Sequence, residues 1–263
     1  MIRLAMATLL TLASLALPTV ASAQTEQQTL VDRATLAVQE MVGSTTPESD
    51  VRSLLRRAKG AVVCPRVFKA GFILGGQGGG CVLVGRGPQA WSGPAFYGMG
   101  AGSVGLQIGI QDSQVLMIIL TEKGLRALMD SQFKIGADAS IAFATVGAGV
   151  EGSTTAAFNA DIVAFATTRG LFAGVSLEGS LIGARSDWNQ AYYGQPLAAQ
   201  QIVLQMQGSN PGADPLREML GRFSGQQSYA EAAPVQGGQG APMQMALPSP
   251  PRAPVRSTPP PSR

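Results

Sequence analysis

One stretch constrains this chain more than any other: CPRVFKAGFILGGQGGGC, residues 64–81, with a cysteine at each end and glycine at five of the six positions before Cys81. It reads either as a phosphate-cradling loop or as a glycine-studded β-hairpin closed by a disulfide. A phosphate loop needs a strand, then the glycines, then a helix whose first amides face the anion. After Gly80 the chain continues CVLVGRGP, β-branched and short, and breaks at Gly87-Pro88. No lysine precedes Ser or Thr, so the G-K-[ST] ending is absent. G-x-G-x-x-G matches occur at Gly100, Gly102 and Gly105 and at Gly147, Gly149 and Gly152. The first runs into an alternating strand and the second into STTAAFNAD, and a chain with 33 glycines produces such matches by chance. The hairpin reading places strands at about 61–64 and 81–85 side by side, the residues between folding out and back. These are the only two cysteines, and with no histidine they make too few soft ligands for a metal. In an oxidising compartment Cys64 and Cys81 pair, free thiols being the alternative.

The compartment is read from the N-terminus. Residues 1–23, MIRLAMATLLTLASLALPTVASA, have an early Arg3, an apolar run from Leu4 to Leu17, Pro18, and Ala21-Ser22-Ala23. That is the layout of a secretory signal peptide cleaved before Gln24. The run is short for a spanning helix, which needs ~20 apolar residues. The expectation is an exported protein of the periplasm or cell envelope, peripheral to the membrane. Residues 225–263 are rich in Pro, Gly, Gln and Ser with few branched apolar side chains, and read as a disordered tail. One domain, 24–224, lies between.

Within that domain, Leu30, Ala34, Ala37, Val38 and Met41 form one helical stripe that Gly43 ends. Thr46-Pro47-Glu48 reads as the start of a second helix, with Val51, Leu54, Leu55 and Ala58 inward and Arg52, Arg56 and Lys59 aligned on the other side. The period then changes to two. Val104, Leu106, Ile108 and Ile110 alternate with Gly and Gln, Asp112-Ser113-Gln114 reads as a turn, and VLMIIL reads as a buried strand, giving an antiparallel hairpin. Thr121-Glu122 caps a short helix through Leu125, Leu128 and Met129. Residues 160–184 read as a strand pair hinged at Thr168-Arg169-Gly170. Strands dominate without regular strand–helix alternation. The fold class is therefore α+β: a curved, mainly antiparallel β-sheet flanked by two N-terminal helices and by short internal and C-terminal helices.

Catalytic chemistry has little to stand on. With no histidine, the usual general base and triad member are missing. Ser176 in GVSLEG lacks the glycine a nucleophile elbow needs where Glu178 stands. Glu178, Asp161 and Asp187 are carboxylates without the clustered aromatics of a sugar cleft, and read as surface or turn residues. No cofactor, catalytic residue or metal site is expected. Charge is segregated instead. Between Val51 and Gln111 there is no Asp or Glu, while Arg52, Arg56, Arg57, Lys59, Arg66, Lys69 and Arg86 are all present. A basic segment beside amphipathic helices fits an anionic surface; alternatively the arginine stripe is a solvated helix face.

GLFAGVSLEGSLI (170–182) followed by RSDWNQAYYG (185–194), with the earlier AKGAVVCPRVFKAGFILGGQGGGCVLV, resembles the SYLF domain family, also described as the actin-regulator, Las17-binding type. The resemblance runs from about Glu48 to Leu204, with Cys81 where a small residue is usual. It implies a non-enzymatic phospholipid-binding module, phosphoinositides being the ligands of eukaryotic members, and associates binding with the basic N-terminal part. By residue it carries over Arg52, Arg56, Arg57, Lys59 and Lys69 as lipid-binding. In an exported bacterial protein the expected partner is an anionic phospholipid membrane, with envelope proteins as further partners and neither nucleic acid nor actin. The alternative is a scaffold whose sheet and Pro-rich tail bind protein or wall polymer.

Overall fold

The computed structural model describes residues 19–104, 109–130, 132–145, 159–170, 177 and 179–226. The expected signal peptide, except its last five residues, and the tail beyond Gln226 lie outside them. So do Leu106, Ile108, Ser176, Glu178, most of GLFAGVSLEGSLI and the glycines of the second G-x-G-x-x-G match.

The strands are β1 (Gly60–Gly71), β2 (Leu74–Gly85), β3 (Ala95–Val104), β4 (Gly109–Ile119), β5 (Gln132–Lys134), β6 (Ile141–Thr145), β7 (Ile162–Gly170) and β8 (Leu181–Ala184). They form one curled sheet in the order β5-β8-β3-β2-β1-β4-β7-β6, antiparallel throughout except for the parallel β6–β7 pair. The helices are α1 (Thr19–Gly43), α2 (Asp50–Arg57), α3 (Glu122–Met129), α4 (Ser186–Tyr193), α5 (Ala199–Val203) and α6 (Asp214–Ser224). This is the expected α+β class, and the stripe along α1 is the buried one.

Alternation along the central strands builds two cores. Ala61, Val63, Val82, Val84, Phe96, Leu116 and Ile118 point to one face, where α1, α2, α4 and α6 supply Val31, Val38, Leu55, Tyr192 and Leu220. Val62, Cys64, Cys81, Leu83, Tyr97, Val115 and Met117 point to the other, against Leu125 and Leu128 of α3 and Ile202 and Val203 of α5. A period of two in the chain thus becomes a helix layer on each face.

Cys64 and Cys81 are joined, their Cα atoms 4.2 Å apart, one step beyond the Val63↔Val82 pair. The bond sits where the β1 ladder breaks, between Val63 and Phe68. There the Arg66 carbonyl swings against β2, and Gly79 lies opposite: a Cβ at Gly79 would stand 2.1 Å from that oxygen. Only glycine lets the two backbones approach so closely at the bulge. The segment between the cysteines is not a loop, as β1 and β2 continue through it to a tight connection closed by the Gly71↔Gly75 pair.

Four expectations are corrected. Asp112-Ser113-Gln114 is no turn but mid-strand in β4, paired with β1 and β7. Its polar side chains find partners in place, Asp112 in Arg66, Ser113 in Gln111 and the Gln114 amide nitrogen in Glu40, so the strand runs on without a break. Consequently Val104 and Ile110 lie on different strands, and β3 and β4 are separated by β2 and β1 rather than paired as a hairpin. Thr168-Arg169-Gly170 is likewise no hinge but the end of β7, and β8 pairs with β3 at the opposite side of the sheet. Finally, α2 starts at Asp50 behind Ser49, and Thr46-Pro47-Glu48 forms the turn before it, where the Ser49 amide donates to the Thr46 carbonyl (3.1 Å).

Candidate functional site

The five cations expected to bind lipid fall into two groups. Arg52, on α2, is turned inward: Nη2 donates to the Val42 carbonyl (3.2 Å), Nε lies 3.4 Å from Thr45 Oγ1, and the guanidinium sits 4.8 Å from the centre of the Phe223 ring. It therefore serves the C-terminus of α1, where a cation meets unsatisfied carbonyls. Arg56 and Arg57 are exposed in the last turn of α2, Arg56 reaching back to the Pro47 carbonyl (3.4 Å). Lys59 is past the helix, not on its face, and its Nζ lies 3.4 Å from Glu122 of α3. Lys69 is half-buried near the other end of β1, paired in register with Gln77 and Gln111. Nine residues of strand from Gly60 put it roughly 30 Å from the α2 group.

Around Lys69 the sheet changes character. The helix layer reaches it as far as Gly80, where Leu30 of α1 packs. Beyond that point the same face carries successive cross-strand glycine pairs, Gly80↔Gly98, Gly78↔Gly100 and Gly76↔Gly102. Beside this floor runs a cleft of about 440 Å³ lined by Leu30, Arg33, Pro65, Arg66, Phe68 and Gly78–Gly80. A second, of about 510 Å³, shares Leu30, Arg33 and Gly80 and adds Arg185 and Trp188. Arg66 is paired with Asp112 (2.6 Å), and Arg185 lies 3.7 Å over the Trp188 ring. Arg33 is exposed from α1 above both clefts. The cleft chemistry is amphiphilic: guanidinium groups above, aromatic and aliphatic side chains beside, bare backbone below.

At the extremity, Phe72-Ile73 connect β1 to β2 and Leu74 opens β2, with 60%, 55% and 72% of their surfaces exposed. Phe68, at 41%, and Ile110 of β4, at 60%, stand beside it. Sequence reasoning passed over these residues because the surrounding glycines dominated the reading. The signal was present: three large apolar residues between Gly71 and Gly75, where a turn ordinarily takes Gly, Asn, Asp or Pro.

Two of the carboxylates considered for catalysis, Asp161 and Asp187, lie among the described residues and have structural surroundings. Asp161 is buried at the start of β7, and a hydrogen bond from Thr121 Oγ1 (2.7 Å) leads the causes that hold its pKa down at about 2; Ser140 Oγ and amide and Lys123 add to it. Asp187 is exposed, 3.8 Å from Arg185. The RSDWNQAYYG segment knits the fold. Asn189 Oδ1 accepts from the Phe96 amide (2.8 Å) while its Nδ2 donates to the Leu197 carbonyl (3.1 Å), and Tyr193 donates to the Pro94 carbonyl (2.8 Å). Among the described residues no group of three or more Cys, Asp or Glu could hold a metal, and no helix is long and apolar enough to cross a membrane.

Residues 100–223 match the Ysc84 family, described as Las17-binding protein actin regulator. The chain is 31% identical over 173 residues to human SH3 domain-containing YSC84-like protein 1, covering 65% of this chain and 50% of that protein. It is 30% identical over 171 residues to Protein YSC84 of Saccharomyces cerevisiae, 64% of this chain and 36% of the relative. The same yeast's LAS seventeen-binding protein 3 matches at 30% over 171 residues, 64% and 37% of the two chains. The chain thus spans half or less of the length of these relatives. No solved structure matches it. The family match from the second half of β3 to α6, and relatives aligned over 64–65% of the chain, make this protein a member of the Ysc84, or SYLF, domain family.

Proposed function

We propose that the domain is a non-enzymatic module that attaches peripherally to anionic phospholipid, at the cell envelope of the organism that exports it. The observation that carries this reading is the run from Val51 to Gln111, with seven cations and no acid, which places Arg56, Arg57 and Lys59 exposed at one end of the β1–β2 hairpin and Lys69 half-buried near the other. Membership of a family of binding and regulatory proteins agrees with it. The attaching cations are Arg56, Arg57 and Lys59 at one end or Lys69, with Arg33, at the other. Arg52 acts through the fold that presents them.

The test is co-sedimentation with phosphatidylglycerol or cardiolipin vesicles at low and high salt, with phosphatidylcholine vesicles beside them. Binding should require the anionic lipid and weaken with salt, because exposed charges are screened within about 8 Å at physiological ionic strength. Each cation near the surface contributes about 1 kcal/mol, roughly fivefold. Arg56→Gln/Arg57→Gln and Arg33→Gln/Lys69→Gln then identify the facing group, whose loss costs over tenfold. Equal binding to neutral and anionic vesicles overturns the reading. A protein-binding scaffold is the second reading, favoured by the name of the yeast relative LAS seventeen-binding protein 3.

A further inference from the structure

We infer that the β1–β2 tip is a wedge that enters the lipid bilayer, so that the glycine-rich end of the sheet, and not the α2 end, faces the membrane; the inference rests on the lipid reading above. A hairpin connection in water is normally built from small or polar residues that satisfy their own backbone. Here it is Phe72-Ile73, followed by Leu74 at the start of β2, each more than half exposed, with Phe68 and Ile110 extending the patch along the strands. Contiguous exposed apolar side chains of this size mark a contact with another apolar phase.

Shape and charge select which. The patch is the end of a hairpin rather than a flat face, and it is held by its neighbours: β1 is paired with β4 down to Gly71↔Gly109, and β2 with β3 down to Leu74↔Val104. An apolar strand end held in this way suits penetration of a few ångströms past the headgroups, as apolar side chains of peripheral proteins do. Behind it stand cations. Lys69 is three residues before Phe72 and Arg66 six, while Arg33 overlooks Phe68 across the shared cleft. The described acid nearest in register is Asp112, which Arg66 already holds. An apolar tip with a cationic collar complements a bilayer whose headgroups are anionic. A second copy of this chain would present the same collar and repel it.

The experiment uses the full chain and vesicles of equal parts phosphatidylglycerol and phosphatidylcholine. Phe72→Ser/Ile73→Asn/Leu74→Ser places residues that turns favour at exposed positions, so circular dichroism should be unchanged. Its vesicle affinity should fall at least tenfold, and the binding that survives high salt in the parent should disappear. Separately, Ile73→Trp should add emission that shifts to the blue on vesicle binding and is quenched by lipids brominated along the acyl chain, over the background of Trp91 and Trp188. If the parent binds while the folded triple variant binds equally well and the new tryptophan stays unquenched, the wedge is wrong and the lipid reading stands. If the parent binds no vesicle at all, both fall. If the triple variant instead converts a dimer to a monomer at unchanged vesicle affinity, the patch is a contact between copies and the wedge is overturned.

Discussion

The two ends of the β1–β2 hairpin are made of the same two strands and have opposite surroundings. At one end, Ala61 to Cys64 and Cys81 to Val84 are buried on both faces, between α1, α2 and α6 on one side and α3 and α5 on the other. At the other end, residues of the same strands are glycine on one face and exposed Phe, Ile and Leu at the tip. The disulfide and the Gly79 bulge mark the boundary. What the difference teaches is that a strand's neighbours decide its use. Where helices cover it the pattern serves cohesion, and where they stop the same pairing becomes a stiff mount for a surface that contributes little to stability.

That contrast can be broken at three places. The largest effect is expected at the boundary. Replacing Cys64 and Cys81 together with Ala should lower stability by about 3 kcal/mol, from the chain-entropy value for closing a loop of this length, read as a shift in urea midpoint at unchanged m. Vesicle attachment should persist, since β3 and β4 still hold the tip; its loss would mean that the bare end depends on the staple.

Glycines at the two ends should next behave differently. A Cβ at Gly85, under α5, would lie 2.6 Å from the Val203 carbonyl oxygen, whereas at Gly102 nothing comes within 4 Å. Gly85→Ala should therefore cost roughly 1–3 kcal/mol by forcing packed elements apart. Gly102→Ala should stay within about 0.5 kcal/mol. Equal thermal shifts for the two would erase the distinction between a covered and a bare end.

The smallest effect concerns acid. The Asp161 pKa is lowered to about 2 in the folded protein, below the ordinary 3.8, by hydrogen bonds led by that from Thr121. A depressed folded pKa gives stability that is complete above about pH 4 and is lost as the pH falls toward 2. Allowing for solvent near the site, the loss is on the order of 1 kcal/mol. Asp161→Asn should flatten the stability–pH curve between 4 and 2; an unchanged curve would show that other carboxylates set it.

Much of this was legible in the chain, and the failures have a common cause. The stripe on α1 and the cap of α3 follow from local spacing, the disulfide is anticipated by the two-cysteine count and an expected oxidising compartment, and each stands in the structure, Thr121 Oγ1 accepting from the Gly124 amide (3.0 Å). Sheet order did not follow, because adjacency in sequence favours hairpins, and nothing local shows that β4 returns to the far side of β1. Turn signals misled where polar side chains find partners across strands: Asp112 takes Arg66, forty-six residues away. At the candidate site, counting charges located the basic segment but not its geometry. Arg52 and Arg56 share a helix face on paper, yet Arg52 is drawn inward by the Val42 carbonyl of α1, which only the folded chain brings within reach.

Arg86 carries this furthest. At the end of β2 it donates through Nη1 to the Leu55 and Arg56 carbonyls, and its Nη2 lies 3.5 Å from that of Ser224, so one guanidinium stands at the C-termini of both α2 and α6. Helices shorter than about 12 residues scarcely hold themselves in water, and α2 has eight residues and α6 eleven. Neither is an autonomous unit: each is completed by a residue whose position is set by pairing in the sheet. The helix layer and the sheet are therefore one cooperative body at this end, and neither α2 nor α6 could melt, detach or be excised on its own while the strands remain.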